Sequence, residues 1–261
     1  MNLRPLFRFR ASADSNAEWF VAVLAFVGFV AVWHAIAYFE LLPQRFLPLP
    51  WSVVEALYRM LAVQGFLEDI WISLARVWAA FLLSVVMAVP LGIFMSSYRI
   101  VGAMTEPIVD FIRYLPVPAL VPLLIIWLGI GEESKIAVLW MGTFFQLVLL
   151  IADDAKRVPR EFIEIGYTLG ARPRQIVADI VFRSILPTMV DNLRITLGWC
   201  WTYLIIAEIV AANTGIGHFI WSMRRFVKTP EVMAGILTVG VIGLLTDQAI
   251  RYAHRRWFRY L

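Results

Sequence analysis

Long stretches without charge, separated by short charged segments, make up most of this chain. The uncharged stretches are residues 77–98, 114–131, 136–152 and 232–246, together with 19–39, which is uncharged apart from His34. A bilayer core of about 30 Å takes roughly 20 apolar residues in an α-helix, so each stretch meets or approaches the length of a span. A sixth run, 193–212, is interrupted by Arg194 and Glu208. The pattern predicts an all-α integral membrane protein whose six helices span about 19–39, 74–97, 107–130, 136–153, 190–212 and 231–250.

The composition agrees with a membrane protein, because 61% of the residues are hydrophobic, 16% are charged and the mean hydropathy is +0.76. That balance excludes an ordinary soluble domain. The net charge of +4 does not indicate nucleic-acid binding, since the basic residues follow the spans. With the amino terminus inside, fourteen Lys and Arg residues fall in cytoplasmic segments, Arg4, Arg8, Arg10 and Arg259 among them, and six fall outside. The positive-inside rule therefore predicts that both termini are cytoplasmic.

The connection between the first two spans predicts an amphipathic helix. Pro50 is placed where a helix starts, just before residues 51–64. Apolar side chains then recur at helical spacing, at Val54, Leu57, Tyr58 and Leu61. We expect this helix to lie on the outer membrane surface; the alternative is contact with an external partner.

Prolines are concentrated in the third span. Four fall within sixteen residues, at Pro107, Pro116, Pro118 and Pro122. Interior prolines remove backbone hydrogen bonds and kink a helix. Within lipid, the carbonyl groups freed in this way need protein or a water-filled cavity beside them. The cluster predicts a bent helix that lines a pathway, and a bent helix that serves packing alone is the alternative.

The charged segment 154–187 separates the fourth and fifth spans and carries its own helix signals. Pro159 and Pro173 each suit the start of a helix, and Gly170 between them suits a left-handed C-cap. Apolar residues recur on one side of each arm. We expect two short helices at an angle, forming a compact cytoplasmic knob that docks in a groove of a partner and moves as a rigid body.

This segment resembles the cytoplasmic coupling loop of permeases in ATP-binding-cassette (ABC) importers. Their pattern is Glu-Ala-Ala, three residues, Gly, and a later Ile-x-Leu-Pro. Glu164, Ile165 and Gly166 hold the first triplet, and Gly170 falls at the matching spacing. The chain departs from the pattern in the Ala pair, where Ile165 is bulkier, and its Leu-Pro pair comes four residues late.

Two further blocks, 107–135 and 199–217, resemble the permeases of nitrate, sulfonate, taurine and bicarbonate importers. The matching residues of the first block are Arg113, Pro116, Pro122, Leu123, Trp127, Gly129, Gly131, Glu132, Ser134 and Lys135. The second block matches at Ala207, Glu208, Gly215 and Gly217. With the coupling loop, the resemblance covers about residues 47–255.

The resemblance implies a type I ABC importer permease fold and a set of partners. The coupling residues that it indicates are Glu161, Glu164, Gly166, Gly170, Arg172 and Arg174. It implies two copies of an ATP-binding subunit below, an extracytoplasmic solute-binding protein above, and a second, identical permease copy in a bacterial inner membrane. No Gly-x-x-x-x-Gly-Lys-Ser/Thr loop occurs in the chain. We therefore expect ATP and Mg on the partner ATPase and no cofactor on this chain.

Polar and aromatic side chains within the spans indicate where a pathway runs, because ionisable groups within a membrane usually face a cavity or a partner. The residues expected along the pathway or at a gate are Pro116, Pro118, Trp127, Trp199, Thr202 and Glu208. For Glu208 two roles stay open: closing an outer gate through Asn213 or Thr214, or capping the turn at Gly215.

Other ionisable and metal-binding types point to structural roles. Asp110 with Arg113, and Asp191 with Arg194, are spaced i,i+3 on a helix and are expected to pair. Cys200 is expected to be a packing residue, and the chain offers no Cys/His spacing for a metal.

We expect a transport subunit, not itself an enzyme, that moves a small anion such as nitrate, bicarbonate, taurine or another sulfonate. Aromatic or pyrimidine-like solutes are carried by relatives of similar pattern. One alternative is a secondary transporter driven by an ion gradient, which predicts ionisable residues near the midplane of several helices. The other is a membrane scaffold without transport.

Overall fold

The computed structural model describes residues 15–258, so the basic residues expected inside the cell at Arg4, Arg8, Arg10 and Arg259 lie outside the described part. Within 15–258 every regular element is a helix. In chain order the helices are α1 (Ser15–Tyr38), α2 (Pro50–Val63), α3 (Phe66–Ser97), α4 (Arg99–Arg113), α5 (Val117–Leu128), α6 (Glu132–Lys156), α7 (Arg160–Thr168), α8 (Pro173–Gln175), a π-helix (Ile176–Val181), α9 (Phe182–Ala211), α10 (Ile216–Arg225) and α11 (Thr229–Trp257).

Among residues 15–258, five stretches of helix are long and apolar enough to cross a membrane, and α4 with α5 makes a sixth when the bent pair is counted as one span. This agrees with the six predicted spans, although some ends differ. α3 begins at Phe66 rather than near residue 74. Gly65, with φ +69°, turns the chain just before it. Glu68 and Asp69 then favour the helix start, because acidic side chains in a first turn complement the helix dipole.

The third span is broken and not merely bent, which corrects the expectation of one kinked helix. α4 and α5 are bent by 102° at the break over Tyr114–Pro116. Pro116 disfavours helical backbone at the residue before it, and neither Pro116 nor Pro118 has an N–H to continue a helix. Pro107 and Pro122 lie inside α4 and α5 without ending them. The break therefore places the amino-terminal end of α5 in the middle of a stretch that is apolar enough for a span.

The second arm of the predicted knob is also not a separate short helix. α8, the π-helix and α9 follow one another without a break, and Pro173–Val210 forms one apolar stretch long enough to cross a membrane. The fifth span, expected to begin near residue 190, therefore continues directly from the second arm of the knob. Pro187 lies inside α9 and does not interrupt it.

The chain forms two compact units. The first comprises the chain up to Gln64 with Met223–Ala234, and the second comprises Gly65–Ser222 with the chain from Gly235. In the first unit, α2 buries one face, formed by Val53, Ala56 and Met60. Val54 and Tyr58 on its other face are 54% and 72% exposed. An apolar exposed face agrees with the predicted amphipathic helix.

The centre of the second unit is the contact between α3 and α6. Gly92 of α3 allows a close approach, because a Cβ there would lie 2.7 Å from the Val148 carbonyl oxygen of α6. The hydroxyls of Ser84 and Thr143 are hydrogen-bonded at 2.8 Å across the same interface. Small residues and interhelical hydroxyl bonds are common where helices pack within lipid, so this pair forms a rigid centre for the unit.

Candidate functional site

The segment that resembles a coupling loop forms two helical arms joined by a tight turn, residues 160–181, which we call the knob. α7 ends in a Schellman closure: the Ala171 N–H donates to the Gly166 carbonyl at 3.0 Å, and the Gly170 N–H donates to the Tyr167 carbonyl at 2.9 Å. Gly170 has φ +79°, a conformation that glycine adopts without steric cost. The C-cap predicted at Gly170 is confirmed.

The second arm begins at Pro173, as predicted, and packs against the first. Gln175 Oε1 accepts a hydrogen bond from the Arg172 N–H at 2.8 Å, which satisfies a backbone donor at the start of this arm. Gly166 is buried, and a Cβ there would lie 2.6 Å from Ile180 Cδ1. Gly166 therefore allows the two arms to approach and does not contribute to the exposed surface.

The outward surface of the knob carries charged and apolar side chains together. The exposed residues among those predicted for coupling are Glu161, Glu164, Gly170, Arg172 and Arg174. Beside them, Ile165 and Leu169 are 56% and 81% exposed. An exposed apolar group with charged neighbours is typical of a surface that docks on another protein.

Apolar contacts anchor the knob on the membrane helices. Ile163 of the first arm and Ile176 and Val181 of the second belong to one hydrophobic cluster with Met95 of α3 and Ala155 of α6. Close-packed clusters transmit displacement because they deform little. A movement of the knob therefore moves the ends of these helices with it.

A network of charged side chains around the buried Arg76, which we call the Arg76 cluster, lies in the first turns of α3. Arg76 is 2% exposed, and its guanidinium donates to both Glu132 carboxylate oxygens, at 2.6 and 2.7 Å. Its Nη1 also donates to Glu208 Oε1 at 2.7 Å and to the Thr214 carbonyl at 2.8 Å. Lys135 Nζ donates to Glu132 at 2.7 Å. The cluster thus joins α3, α6 and α9, and it meets the usual requirement that buried charges be paired.

The same cluster receives the first backbone donors of α10. The pairs are Gly215 N–H to Asp69 Oδ1 (2.6 Å), Ile216 N–H to Ser73 Oγ (2.9 Å) and Gly217 N–H to Glu208 Oε2 (2.7 Å). The Ser73 hydroxyl in turn donates to Glu208 Oε1 at 2.7 Å. A carboxylate at a helix amino terminus is stabilised by the helix dipole.

Of the two roles left open for Glu208, the structure shows the cap. Within residues 15–258, Glu208 bonds neither Asn213 nor Thr214 and instead caps the turn that follows Gly215. The sequence alone places Arg76 at a helix end and gives Ser73 no role. A signal was present, because Asp69, Ser73 and Arg76 lie at i, i+4 and i+7 of a mostly apolar helix and so share one face.

The residues predicted along a pathway do not form a single site. Pro116 and Pro118 lie at the start of α5, and Trp199 of α9 borders a cavity there with Val117. Trp127 lies near the other end of α5 and is 67% exposed. Only the start of α5 is therefore brought together with another predicted pathway residue.

The remaining pathway residues lie apart from that cavity. Thr202 is exposed on α9, and its hydroxyl lies 3.5 Å from the Gly198 carbonyl. Glu208 is fully buried in the Arg76 cluster. A pathway role for these residues stays a prediction.

The two predicted i,i+3 pairs are confirmed. Asp110 lies 3.1 Å from the Arg113 Nε, and Asp191 lies 3.1 Å from the Arg194 Nη1. Arg194 also donates to both carboxylate oxygens of Asp247 on α11, at 2.9 and 3.1 Å. These pairs join helix turns or neighbouring helices and indicate a structural role.

Metal binding has no support in the part of the chain that the structure describes. No group of three or more His, Cys, Asp or Glu side chains there lies in an arrangement that holds a metal ion. Cys200 is fully buried in an apolar cluster, with its Sγ 3.8 Å from the Val77 carbonyl.

Comparison with known proteins places the chain in a family. Residues 69–259 match the family described as binding-protein-dependent transport system inner membrane component. The taurine transport system permease protein TauC of Escherichia coli (strain K12) is 33% identical over 232 residues, covering 87% of this chain and 84% of that protein. The nitrate import permease protein NrtB of Synechocystis sp. is 27% identical over 215 residues, covering 79% and 78%.

A further relative is the putative aliphatic sulfonates transport permease protein SsuC of Bacillus subtilis (strain 168), 26% identical over 242 residues, with coverage of 93% and 88%. Among solved structures, an inward-facing form of the MetNI methionine ABC transporter matches with a TM-score of 0.60 at 22% identity. That match covers 82% of this chain and 97% of the other. The knob, the spans and these matches agree: the chain belongs to the binding-protein-dependent transport system inner membrane components and is a multi-pass permease of the ABC importers.

Proposed function

We propose that two copies of this permease pair around one pathway, dock on two ATP-binding subunits through their knobs, and import a small anion delivered by an extracytoplasmic binding protein. The observation that carries the proposal is the knob. It presents Ile165 and Leu169 beside Glu161 and Glu164 on a surface that the spans do not cover. A surface of this kind is suited to a groove on a cytoplasmic protein.

The knob supports a mechanical role because it is rigid in itself and fixed to the helices. Its arms close through the Gly170 turn and the Gly166 contact, and its apolar residues pack on α3 and α6. ATP binding that draws two ATPase subunits together would draw two knobs together as rigid bodies. Their helices would then open the pathway to the outside, and release of hydrolysis products would reset it.

The membrane orientation in this proposal places the knob and both termini in the cytoplasm. Basic residues are concentrated around the knob, at Lys156, Arg157, Arg160, Arg172, Arg174 and Arg183, which the positive-inside rule favours. From Arg76 to Ser97, α3 rises roughly 30 Å at 1.5 Å per residue, about the thickness of a bilayer core. The Arg76 cluster then lies near the outer membrane surface, where it holds α3, α6 and α9 together.

The proposed substrate class is a small anion bearing an oxyanion group. The relatives named above are described for taurine, aliphatic sulfonates and nitrate. Nitrate and the sulfonate group are both compact, carry one negative charge at neutral pH and offer three acceptor oxygens. The shared chemistry supports the class and leaves the choice within it to experiment.

The test is co-purification followed by reconstitution. The tagged chain is extracted in mild detergent, its partners are identified by mass spectrometry, and the complex is placed in liposomes with the binding protein. We expect one ATPase subunit per permease and uptake that depends on ATP. A chain that elutes alone in every detergent, with uptake that survives ATP depletion, would instead favour the transporter driven by an ion gradient.

The knob is tested separately with Glu164→Ala. Glu164 is exposed, so the substitution is expected to change stability by less than about 1 kcal/mol. ATP-driven uptake is expected to fall about tenfold, because a rim contact to the ATPase is lost. The matched control is Glu55→Ala on the exposed side of α2, which should leave uptake unchanged. Equal uptake by both variants would contradict the docking role of the knob.

Orientation is tested by labelling single cysteines with a membrane-impermeant maleimide in intact cells. The background is Cys200→Ala, since Cys200 is the one native cysteine. A cysteine at Thr168 in the knob is expected to be protected, and one at Gln44 before α2 is expected to react. The reverse pattern would invert the proposed orientation.

A further inference from the structure

A small cavity lies where α4 and α5 break apart, and polar side chains from three helices border it. Its volume is about 50 Å³. Its lining includes Arg113 of α4, Gln146 of α6, and Trp199 and Tyr203 of α9, with Val117 at the start of α5. A site for one water molecule needs a cavity volume of roughly 10–15 Å³. The cavity therefore has room for a few waters or for one compact polar group.

Two of the polar groups at this cavity make no hydrogen bond to any residue that the structure describes. Within residues 15–258, neither the Gln146 amide nor the Tyr203 hydroxyl makes a hydrogen bond to the protein. Gln146 lies in the middle of α6, a span of otherwise apolar character. Polar side chains within a membrane usually face a cavity or a functional pathway, and both side chains are half-buried, so their polar groups are accessible from the cavity. Two such groups at one cavity indicate a polar ligand.

The charge at the cavity favours an anion. Arg113 uses its Nε for Asp110 at 3.1 Å and its Nη2 for the Tyr114 hydroxyl at 3.1 Å. A guanidinium has five N–H donors, so Arg113 retains donors beyond these two contacts. The amino-terminal end of α5 also borders the cavity at Val117, and a helix amino terminus carries a partial positive charge. Within residues 15–258, Asp110 is the one acidic side chain paired with Arg113.

The shape of the cavity depends on Gly142. A Cβ at Gly142 would overlap the ring of Tyr203 at Cδ2, Cε2 and Cγ. The missing side chain therefore lets the Tyr203 ring of α9 pack directly on α6, one turn from Gln146. This contact fixes the position of the Tyr203 ring relative to the Gln146 amide without any hydrogen bond between them.

We propose that this cavity is an anion subsite of the permease that takes the oxyanion head of its solute. The guanidinium of Arg113 supplies charge, and the Gln146 amide and Tyr203 hydroxyl supply two donors for an acceptor-rich group. Nitrate and a sulfonate head are compact enough for the cavity, and an uncharged solute of the same size gains nothing from Arg113. The subsite rests on the proposed import of a small anion and names the residues that contact it.

The experiment uses the detergent-purified permease with its ATPase subunit and saturation-transfer NMR, which detects weak ligands. The probes are methanesulfonate and dimethyl sulfone, which share a methyl group and differ in charge. We expect saturation transfer to methanesulfonate, its loss on addition of sodium nitrate at constant ionic strength, and little transfer to dimethyl sulfone. Equal transfer to both probes would overturn the proposal.

Variants locate the binding at the cavity. Gln146→Glu keeps the side-chain size and adds a repelling charge, and Gln44→Glu makes the same change at an exposed position before α2. The Kd for methanesulfonate should rise about 10- to 100-fold in Gln146→Glu, the range for a lost interaction with a charged group. It should be unchanged in Gln44→Glu. An unchanged Kd in Gln146→Glu would overturn the subsite.

Two further variants keep the test interpretable. Gln146→Leu removes the amide without placing a charge in the membrane, and it replaces Gln146→Glu in the test if that variant does not fold. We expect Gln146→Leu to weaken binding at least tenfold. Arg113→Gln is expected to abolish the preference for methanesulfonate over dimethyl sulfone, and a retained preference would count against the subsite. Co-elution of the ATPase subunit is measured for the native permease and for every variant, so that the two proposals are tested separately. If the ATPase does not co-elute with the native permease, the importer assembly is refuted, whereas the anion subsite is refuted only by the binding results.

Discussion

Arg76→Met should strongly destabilise this permease, although the substitution changes the side-chain volume little. Arg76 donates two hydrogen bonds to Glu132, one to Glu208 and one to the Thr214 carbonyl, all at 2.6–2.8 Å. Methionine keeps much of the volume and removes every one of these donors. Glu208 is fully buried, and among residues 15–258 the donors left to it are the Ser73 hydroxyl and the Gly217 N–H.

The expected magnitude follows from what stays behind. Removing one member of a buried ion pair costs about 3–5 kcal/mol, because the other charge is left without compensation. At about 2–4 °C per kcal/mol for a chain of this size, the Tm should fall by roughly 6–20 °C. Glu132 contributes less to the loss, since its side chain is 53% exposed and still pairs with Lys135.

A second substitution isolates the cause. In Arg76→Met/Glu208→Gln the Glu208 charge is absent, the Gln oxygen can accept from the Gly217 N–H, and the rotatable Ser73 hydroxyl can accept from the Gln NH2 group. The double variant should therefore recover at least half of the lost Tm. The control is Arg183→Met, which breaks an ion pair with Asp179 whose side chains are 72% and 57% exposed, and it should cost less than about 1 kcal/mol.

The assay is thermal unfolding in one detergent, followed by tryptophan fluorescence and checked by a reversible SDS titration. The reasoning is refuted by either of two results. One is an Arg76→Met protein as stable as the Arg183→Met control. The other is a double variant less stable than Arg76→Met, which would mean that the Glu208 charge stabilises the fold even without its arginine.

Two glycine substitutions give further predictions. Gly142→Ala should lower the free energy of unfolding by about 1–3 kcal/mol, because its methyl group overlaps the Tyr203 ring. Gly198→Ala is the control and should leave the free energy of unfolding unchanged, because no neighbouring atom lies within 4 Å of a Cβ placed there. Thermal unfolding of the two variants tests the difference. Gly170→Ala should cost about 1–2 kcal/mol through the left-handed backbone at φ +79° and lower ATP-driven uptake by loosening the knob. Gly170→Asn should lower uptake less, since asparagine tolerates this conformation better, and equal uptake by the two variants would exclude a backbone cause.

Local signals in the sequence were reliable where one residue type has one physical use. Gly170 marks the turn of the knob because the backbone there has a positive φ, which glycine adopts easily. Pro173 marks the start of the second arm because the first turn of a helix does not need the N–H that proline lacks. The i,i+3 pairs were equally readable, since helix geometry alone brings Asp110 to Arg113. Charge-free length predicted the spans for the same reason, as the bilayer requires it.

Sequence patterns predict structure less well where the outcome depends on tertiary packing. A dense set of prolines predicts a disturbed helix, but the 102° break arises at Pro116 while Pro107 and Pro122 stay inside helices. Pro116 and Pro118 lie two residues apart and together remove two backbone donors at one point of the chain, whereas Pro107 and Pro122 each stand alone inside a helix. Arg76 and Glu208 are separated by more than a hundred residues along the chain, so only the packing of α3 on α9 shows that they meet.

The uninterrupted course from α8 through the π-helix to α9 has a geometric consequence. Helix from Pro173 to Ala211 is a rod of roughly 58 Å at 1.5 Å per residue, with the knob's second arm at one end and Glu208 near the other. A tilt of about 5° around its midpoint displaces each tip by about 2.5 Å, in opposite directions. Tilting this helix as a rigid body therefore couples the two membrane faces directly: when its cytoplasmic end moves towards the pathway, its outer end moves away from it.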